Sequence, residues 1–320
     1  MSEGNVLTRE YLGKINRTAQ SAKASRVDDT HILDEFTAIE DAASITLGFF
    51  AGDIHLNGLT SLSDTAAERL GNRKKPGGGL AKGGLWLNGL TSLSDIAAES
   101  LSKVKGNLRL DGVASLTDDA AKSLGKHKGG FLSLNGLAEL PLSVAENLAK
   151  KKGGLYLGGV GSLPDHVAKA LAKHSGLLGL SGVKSLSDLA IDALSRHEES
   201  VDLRGLASLS DAGAESLSKR KGRLELNGIT AISDSAAKSL SKHAGDLALN
   251  GLATISDAAA KSLGEHVGDL ALNGLVAISD AAAESLSKHK GTVALCGLTS
   301  LSHAAKRSFD SHAGVYLPRG

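Results

Sequence analysis

The sequence predicts an α/β fold: a right-handed, curved solenoid with a parallel sheet of short strands on its concave face and helices on its convex face. One phrase recurs along the chain, Leu-x-Leu-Asn-Gly-Leu-x-x-Ile/Leu-Ser-Asp-x-Ala-Ala-x-x-Leu-x-x-His. Within each copy the apolar spacing lengthens from that of a strand to that of a helix face. Hydrophobic residues make up 41% of the chain and aromatic residues only 3%, so the core must be built from Leu, Ala, Ile and Val in thin layers. Units this small cannot bury an apolar face alone and must stack on one another.

The elements follow in chain order. Residues 1–30 are expected to form an N-terminal helical cap, with a polar helix from Arg9 to Ala24, and residues 31–320 the solenoid. A degenerate first copy matches at Leu33, Ile39, Asp41, Ala42, Ala43 and Leu47, with Glu35 in the glycine's place. Eleven clear copies follow, with the glycine at Gly58, Gly89, Gly112, Gly136, Gly159, Gly182, Gly205, Gly228, Gly251, Gly274 and Gly297. The successive spacings are 31, 23 and 24, then 23 seven times, so the unit is 23 residues and there is one real insertion, a basic glycine-rich loop at 71–84.

In the copy at Gly251, Leu247 and Leu249 should point inward and Ala248 outward, as a short strand requires. Asn250-Gly251 reads as a turn in which glycine accepts positive φ. Ile255, Ala259 and Leu263 should line one helical face, widened by Ala260, and small alanines let the helix lie close to the sheet. Either Ser256 or Asp257 caps the helix; Pro141 and Pro164 replace the serine in two copies. The last copy departs from the pattern, with His303 for the aspartate and Phe309 for the helix leucine, and Val315-Tyr316-Leu317 begins one more strand. An unpaired strand at that end would allow association of two copies into a homodimer.

At Leu247 to Leu263 the phrase resembles leucine-rich repeats, and most of all the cysteine-containing subclass of F-box substrate receptors, in a shortened, bacterial-like 23-residue form. The Ile-Ser-Asp match is the informative part, and the resemblance covers residues 31 to 318. It implies binding by the concave face, usually of proteins. Two departures stand out. The subclass's polar Cys/Asn position is aliphatic here (Leu59, Leu90, Leu137, Leu252, Leu275), so its buried polar ladder must be absent or replaced. Its leading Leu-x-x-Leu segment is missing.

Composition narrows the function. With 36 basic and 35 acidic side chains the net charge is +1, which removes the case for a general nucleic-acid or anionic-membrane binder. A single cysteine, Cys296, and no apolar leader in residues 1–23 point to the cytoplasm. No apolar run approaches a bilayer span.

Histidines recur at one position, His127, His174, His197, His243, His266, His289 and His312. A row of imidazoles could hold a metal or an anion, yet each stands near a helix C-terminus, where it can bond a free carbonyl and where positive charge suits the dipole. Lys151 and Arg220 take that place in other copies, which favours the second reading. Asp64, Asp95, Asp118, Asp165, Asp188, Asp211, Asp234, Asp257 and Asp280 recur once per unit and read as caps, since a catalytic carboxylate should be singular. Asn57, Asn88, Asn135, Asn227, Asn250 and Asn273 read as a row of turns or bonded amides along the sheet edge. Gly77-Gly78-Gly79 lacks the Lys-Ser/Thr of a phosphate loop; with Arg73, Lys74, Lys75 and Lys82 it reads as a solvated loop able to meet an acidic partner. No catalytic, cofactor-binding or metal residue is assigned, and the chain is not expected to be an enzyme.

A binding surface must break the monotony of its scaffold. The outward residue of each strand runs His55, Trp86, Arg109, Ser133, Tyr156, Gly179, Asp202, Glu225, Ala248, Ala271, Ala294 and Tyr316, varied first and then turning to alanine. Trp86, Arg109 and Tyr156 are types enriched at interface hot spots. They are expected to contact an unidentified protein partner, with Asp202, Arg204 and Glu225 as a charged segment beyond them.

Overall fold

The computed structural model describes residues 5–14, 30–74, 78–310 and 314–318. The expected helix beyond residue 14, Lys75, Gly77 and His312 lie outside the described residues. The chain divides into two compact units, Met1–Val160 with Lys173–Gly179, and Gly161–Ala172 with Leu180–Gly320.

The first unit holds strands β1 (Val6–Leu7), β2 (Ala38–Ile39), β3 (Ile54–His55), β4 (Leu85–Trp86), β5 (Leu108–Arg109), β6 (Leu132–Ser133), β7 (Leu155–Tyr156) and β8 (Leu178–Gly179). Its helices are α1, described over residues 9–14, α2 (Asp41–Leu47), α3 (Asp64–Gly71), α4 (Asp95–Leu101), α5 (Asp118–Leu124) and α6 (Leu142–Leu148), with a 3-10 turn at Thr30–Glu35. β1 pairs with β2, and β3 to β8 pair in sequence order. The second unit holds α7 (Asp165–Leu171), α8 (Asp188–Ser195), β9 (Val201–Asp202), α9 (Asp211–Ser218), β10 (Leu224–Glu225), α10 (Asp234–Leu240), β11 (Leu247–Ala248), α11 (Asp257–Gly264), β12 (Leu270–Ala271), α12 (Asp280–Leu286), β13 (Val293–Ala294), α13 (His303–Asp310) and β14 (Val315–Tyr316). There β10 to β14 pair in sequence order. All these pairings are parallel, and they set equivalent residues side by side: Leu85 against Leu108, Leu247 against Leu270. Repeated strand-turn-helix units on parallel sheets make this a leucine-rich-repeat type of solenoid fold.

The core is the repeated aliphatic set. In one copy Leu247, Leu249, Leu252, Ala259, Ala260 and Leu263 are all 1% exposed or less. A fully buried leucine contributes roughly 2 kcal/mol, so the four of this copy supply most of its drive to stack. Ile255, expected on the helix face, lies ahead of α11 and is only half-buried. Ala248 points away from the leucines but is itself buried.

The turn glycines are required for a reason other than φ. Positive φ occurs among the described glycines at Gly78, Gly79, Gly153 and Gly222, not at the turn positions. A Cβ on Gly251 would lie 2.4 Å from the Asn227 carbonyl oxygen of the preceding copy, and one on Gly274 would lie 2.1 Å from that of Asn250. Adjacent turns pack backbone on backbone, and only glycine leaves room.

The capping question also resolves. Ser256 is the N-cap, its hydroxyl accepting from the Ala259 amide at 2.9 Å, and Asp257 is the first helical residue. The aspartates are therefore not the caps. Each instead accepts from the next copy's cap hydroxyl: Ser256 donates to Asp234, Ser279 to Asp257, and Ser302 to Asp280. Pro141 and Pro164 cap without a side-chain bond. In the copy with Pro141, Ser143 takes over and donates to Asp118 at 2.6 Å.

No helix among the described residues is long and apolar enough to cross a membrane. The inserted loop makes an antiparallel bridge, Lys74 to Leu80. Arg73 does not belong to its solvated part. Its side chain is buried and donates to the carbonyls of Gly52 at 2.8 Å, Gly83 at 2.5 Å and Gly84 at 3.0 Å.

Candidate functional site

Recurrent polar residues must first be separated from those that could act on a ligand. The asparagines form a ladder in which a side-chain oxygen accepts from the amide of the next copy. Asn57 serves Asn88, Asn88 serves Asp111, and Asp111 serves Asn135; in the second unit Asn227, Asn250 and Asn273 serve Asn250, Asn273 and Cys296. This replaces the polar ladder that the aliphatic position could not supply.

The histidines reach back to carbonyls of the preceding copy. His266 Nδ1 donates to Ser241 at 3.3 Å, His243 Nε2 to Gly222 at 2.7 Å, and His289 Nε2 to Gly268 at 2.9 Å. Their rings stack almost parallel, with centroids 6.3 and 6.1 Å apart. All three are buried. Among the described residues no group of three or more His, Cys, Asp or Glu side chains is placed to hold a metal ion.

The expected charge at these helix ends is not what the structure favours. Burial first, then the charge of Lys151, lowers the His127 pKa to about 4. Burial likewise lowers that of His266. Desolvation outweighs the attraction of the helix C-terminus, so both imidazoles are neutral at pH 7. Where a cation stands in the same position it is fully engaged. Lys151 donates to Gly130 at 2.8 Å and Lys152 at 2.5 Å, and burial lowers its pKa to about 8. Arg220 donates to the carbonyls of Leu194 at 2.8 Å, His197 at 3.0 Å and Glu199 at 2.6 Å.

Of the residues singled out for partner contact, all but Arg204, which lies in the turn after β9, stand in the outward row of the strands. In the first unit the register places His55, Trp86, Arg109, Ser133, Tyr156 and Gly179 side by side. His55 stacks on Trp86 with centroids 4.4 Å apart and planes 10° from parallel. The Arg109 guanidinium lies 5.2 Å from the centre of the Phe131 ring, and Phe131 meets Tyr156 edge-on at 5.4 Å. Glycines make room for these rings. A Cβ on Gly84 would lie 2.5 Å from Trp86 Cζ3, and one on Gly179 would lie 2.6 Å from Tyr156 Cδ1. The result is a half-buried aromatic and cationic surface held in place by its own contacts.

Phe131 was not among the expected contact residues. It precedes its strand, in a position held by Gly84, Asn107 and Gly154 in neighbouring copies, and a scan of that column would have exposed the change. Asp202, Arg204 and Glu225 lie in the second unit and close on one another. Arg204 reaches Asp202 through Nε at 2.9 Å and Nη2 at 2.7 Å, and its Nε lies 3.6 Å from Glu225, which Arg223 also meets at 2.9 Å. Burial works against the Asp202 carboxylate, but the bonds and charge of Arg204 outweigh it and hold its pKa below the usual value. A cleft of about 590 Å³ beside α11 and α12 is lined by Lys261, Val267, Lys288 and Lys290. Lys288 there is paired with Glu284.

No family model matches the chain, and no curated protein matches it. Solved structures with a similar fold include a leucine-rich-repeat protein of Leptospira interrogans, at 15% identity and TM-score 0.47, covering 91% of this chain and 80% of that one. An internalin from Listeria monocytogenes is similar at 14% identity and TM-score 0.49, covering 98% of this chain and 96% of that one. A chain of the Toll–Spatzle complex of Drosophila is similar at 14% identity and TM-score 0.47; the likeness covers 83% of this chain and spans 42% of that one.

Proposed function

We propose that the chain is a non-catalytic scaffold that binds a protein partner on the outward sheet face of its first unit. The observation that carries this reading is the set of side chains on β3 to β7, where His55, Trp86, Arg109 and Tyr156, joined by Phe131, stand in the row that Ala248, Ala271 and Ala294 occupy on β11 to β13. Aromatic and arginine anchors of this kind dominate binding energy at protein interfaces. The recurrent Ser, Asp, Asn and His side chains are occupied in joining one copy to the next, which leaves them unsuited to chemistry on a substrate. We also read the Ile-Ser-Asp phrase as placing the repeat nearest the cysteine-containing subclass.

Affinity capture with the whole chain and with a Trp86→Ala, Tyr156→Ala double variant tests the reading, with thermal melts to show that both are folded. A protein retained by the parent and weakened at least tenfold by the double substitution, about 1.4 kcal/mol or more, is the expected result. Equal retention by both, or capture of nothing by either, would remove the sheet face as the site.

A further inference from the structure

We infer that the partner presents an aspartate or glutamate side chain to Arg109, flanked by apolar groups that rest on Trp86 and Tyr156. This rests on the reading of the sheet face as a protein-binding surface and adds the chemistry of what it takes.

The argument starts from an unfinished set of bonds. The Arg109 Nε–H is buried and has no acceptor. Among the described residues no carboxylate pairs with this guanidinium, whereas Arg204 is closed by Asp202 and Arg220 by backbone carbonyls. A partner that covers this guanidinium strips water from its outer N–H groups, and a carboxylate that meets them offsets that cost. The acidic side chains Asp53 and Asp111 of the flanking copies bond elsewhere. Asp53 accepts from the Gly84 amide at 2.5 Å, and Asp111 accepts from the Ser133 hydroxyl at 2.5 Å and the Asn135 amide at 3.0 Å.

Geometry then selects the acceptor. The guanidinium rests over the Phe131 ring 5.2 Å away, a contact that restricts the side chain and lessens the freedom lost when it is used. A planar fork of N–H donors matches the two oxygens of a carboxylate. Nucleic acid fits poorly, because its affinity comes from many phosphate contacts and this surface carries a single unpaired arginine. On either side of Arg109 the register sets Trp86 and Ser133, with Tyr156 next beyond Ser133. An acidic side chain between two apolar ones fits that order.

Panning a random peptide library on the folded full-length chain tests this, the peptides being displayed with blocked C-termini so that only side-chain carboxylates are offered. The parent should enrich peptides with Asp or Glu beside apolar residues, and the enriched peptides should bind Arg109→Gln about tenfold more weakly or worse. Panning on Arg109→Glu should enrich Lys or Arg at that place instead. Peptides that depend on Trp86 and Tyr156, yet show no acidic preference and bind Arg109→Gln equally well, would overturn the inference and leave the binding surface standing. Absence of any peptide sensitive to Trp86→Ala would overturn both.

Discussion

A methyl group at Gly251 would have to share space with the Asn227 carbonyl oxygen 2.4 Å from its position, and that oxygen belongs to backbone that cannot swing aside. We expect Gly251→Ala to lower unfolding free energy by about 2 kcal/mol in urea titration, as overpacking does. Gly161→Ala, whose Cβ would meet nothing within 4 Å, should change it by less than about 0.5 kcal/mol. Equal effects would refute the packing account. That glycine was needed in the turn could be read from the sequence, but the cause could not, because positive φ and close backbone approach select the same residue. The same holds for Ser256 and Asp257: both suit a helix start, and only their neighbours in space assign one as cap and the other as acceptor. Trp86, Arg109 and Tyr156 stood out by type, whereas the contacts that fix Arg109 depend on Phe131, which lies outside the alternating strand positions.

The helix is where two ordinary arguments conflict. A helix C-terminus attracts positive charge by up to about 2 kcal/mol, while full burial of an imidazolium can cost more than that. At His127 burial prevails and the folded pKa falls to about 4. The unfolded imidazole takes up its proton near pH 6.5, so between 6.5 and about 4 the unfolded chain binds more protons than the folded one. This group's contribution is therefore constant above that window and is lost as the pH falls through it, to a total of the order of 3 kcal/mol. Its second cause is testable on its own. Lys151→Met should raise the His127 pKa toward 6.5 in an NMR titration of the imidazole, and an unmoved value would show that the lysine charge is not felt there. Recurrence revealed that helices follow the strands, but not that they begin beyond the Ile255 position. It did not reveal that their ends are tied to the preceding copy, because a repeat seen in one dimension has no neighbours.

At the scale of the whole molecule, each unit is a series of layers with no core of their own, joined by leucine contacts and by three polar columns. That arrangement explains how a chain with 3% aromatic residues holds together, and why its repeated Asp, Asn and His residues are structural. It also leaves most outward strand residues free to vary, since the leucine core does not include them. The period, the insertion and the parallel strand order were all legible in the sequence, because each follows from spacing. What remained hidden was which polar groups were already spent, and hence that Arg204 is closed while Arg109 is open.

Urea unfolding of Arg220→Met tests the central claim most directly, since methionine keeps most of the side chain's length while removing its donors to Leu194, His197 and Glu199. If the polar columns join one layer to the next, the substitution orphans those carbonyls and stability falls by about 2 to 3 kcal/mol. An unfolding curve that superimposes on that of the parent chain would contradict the account.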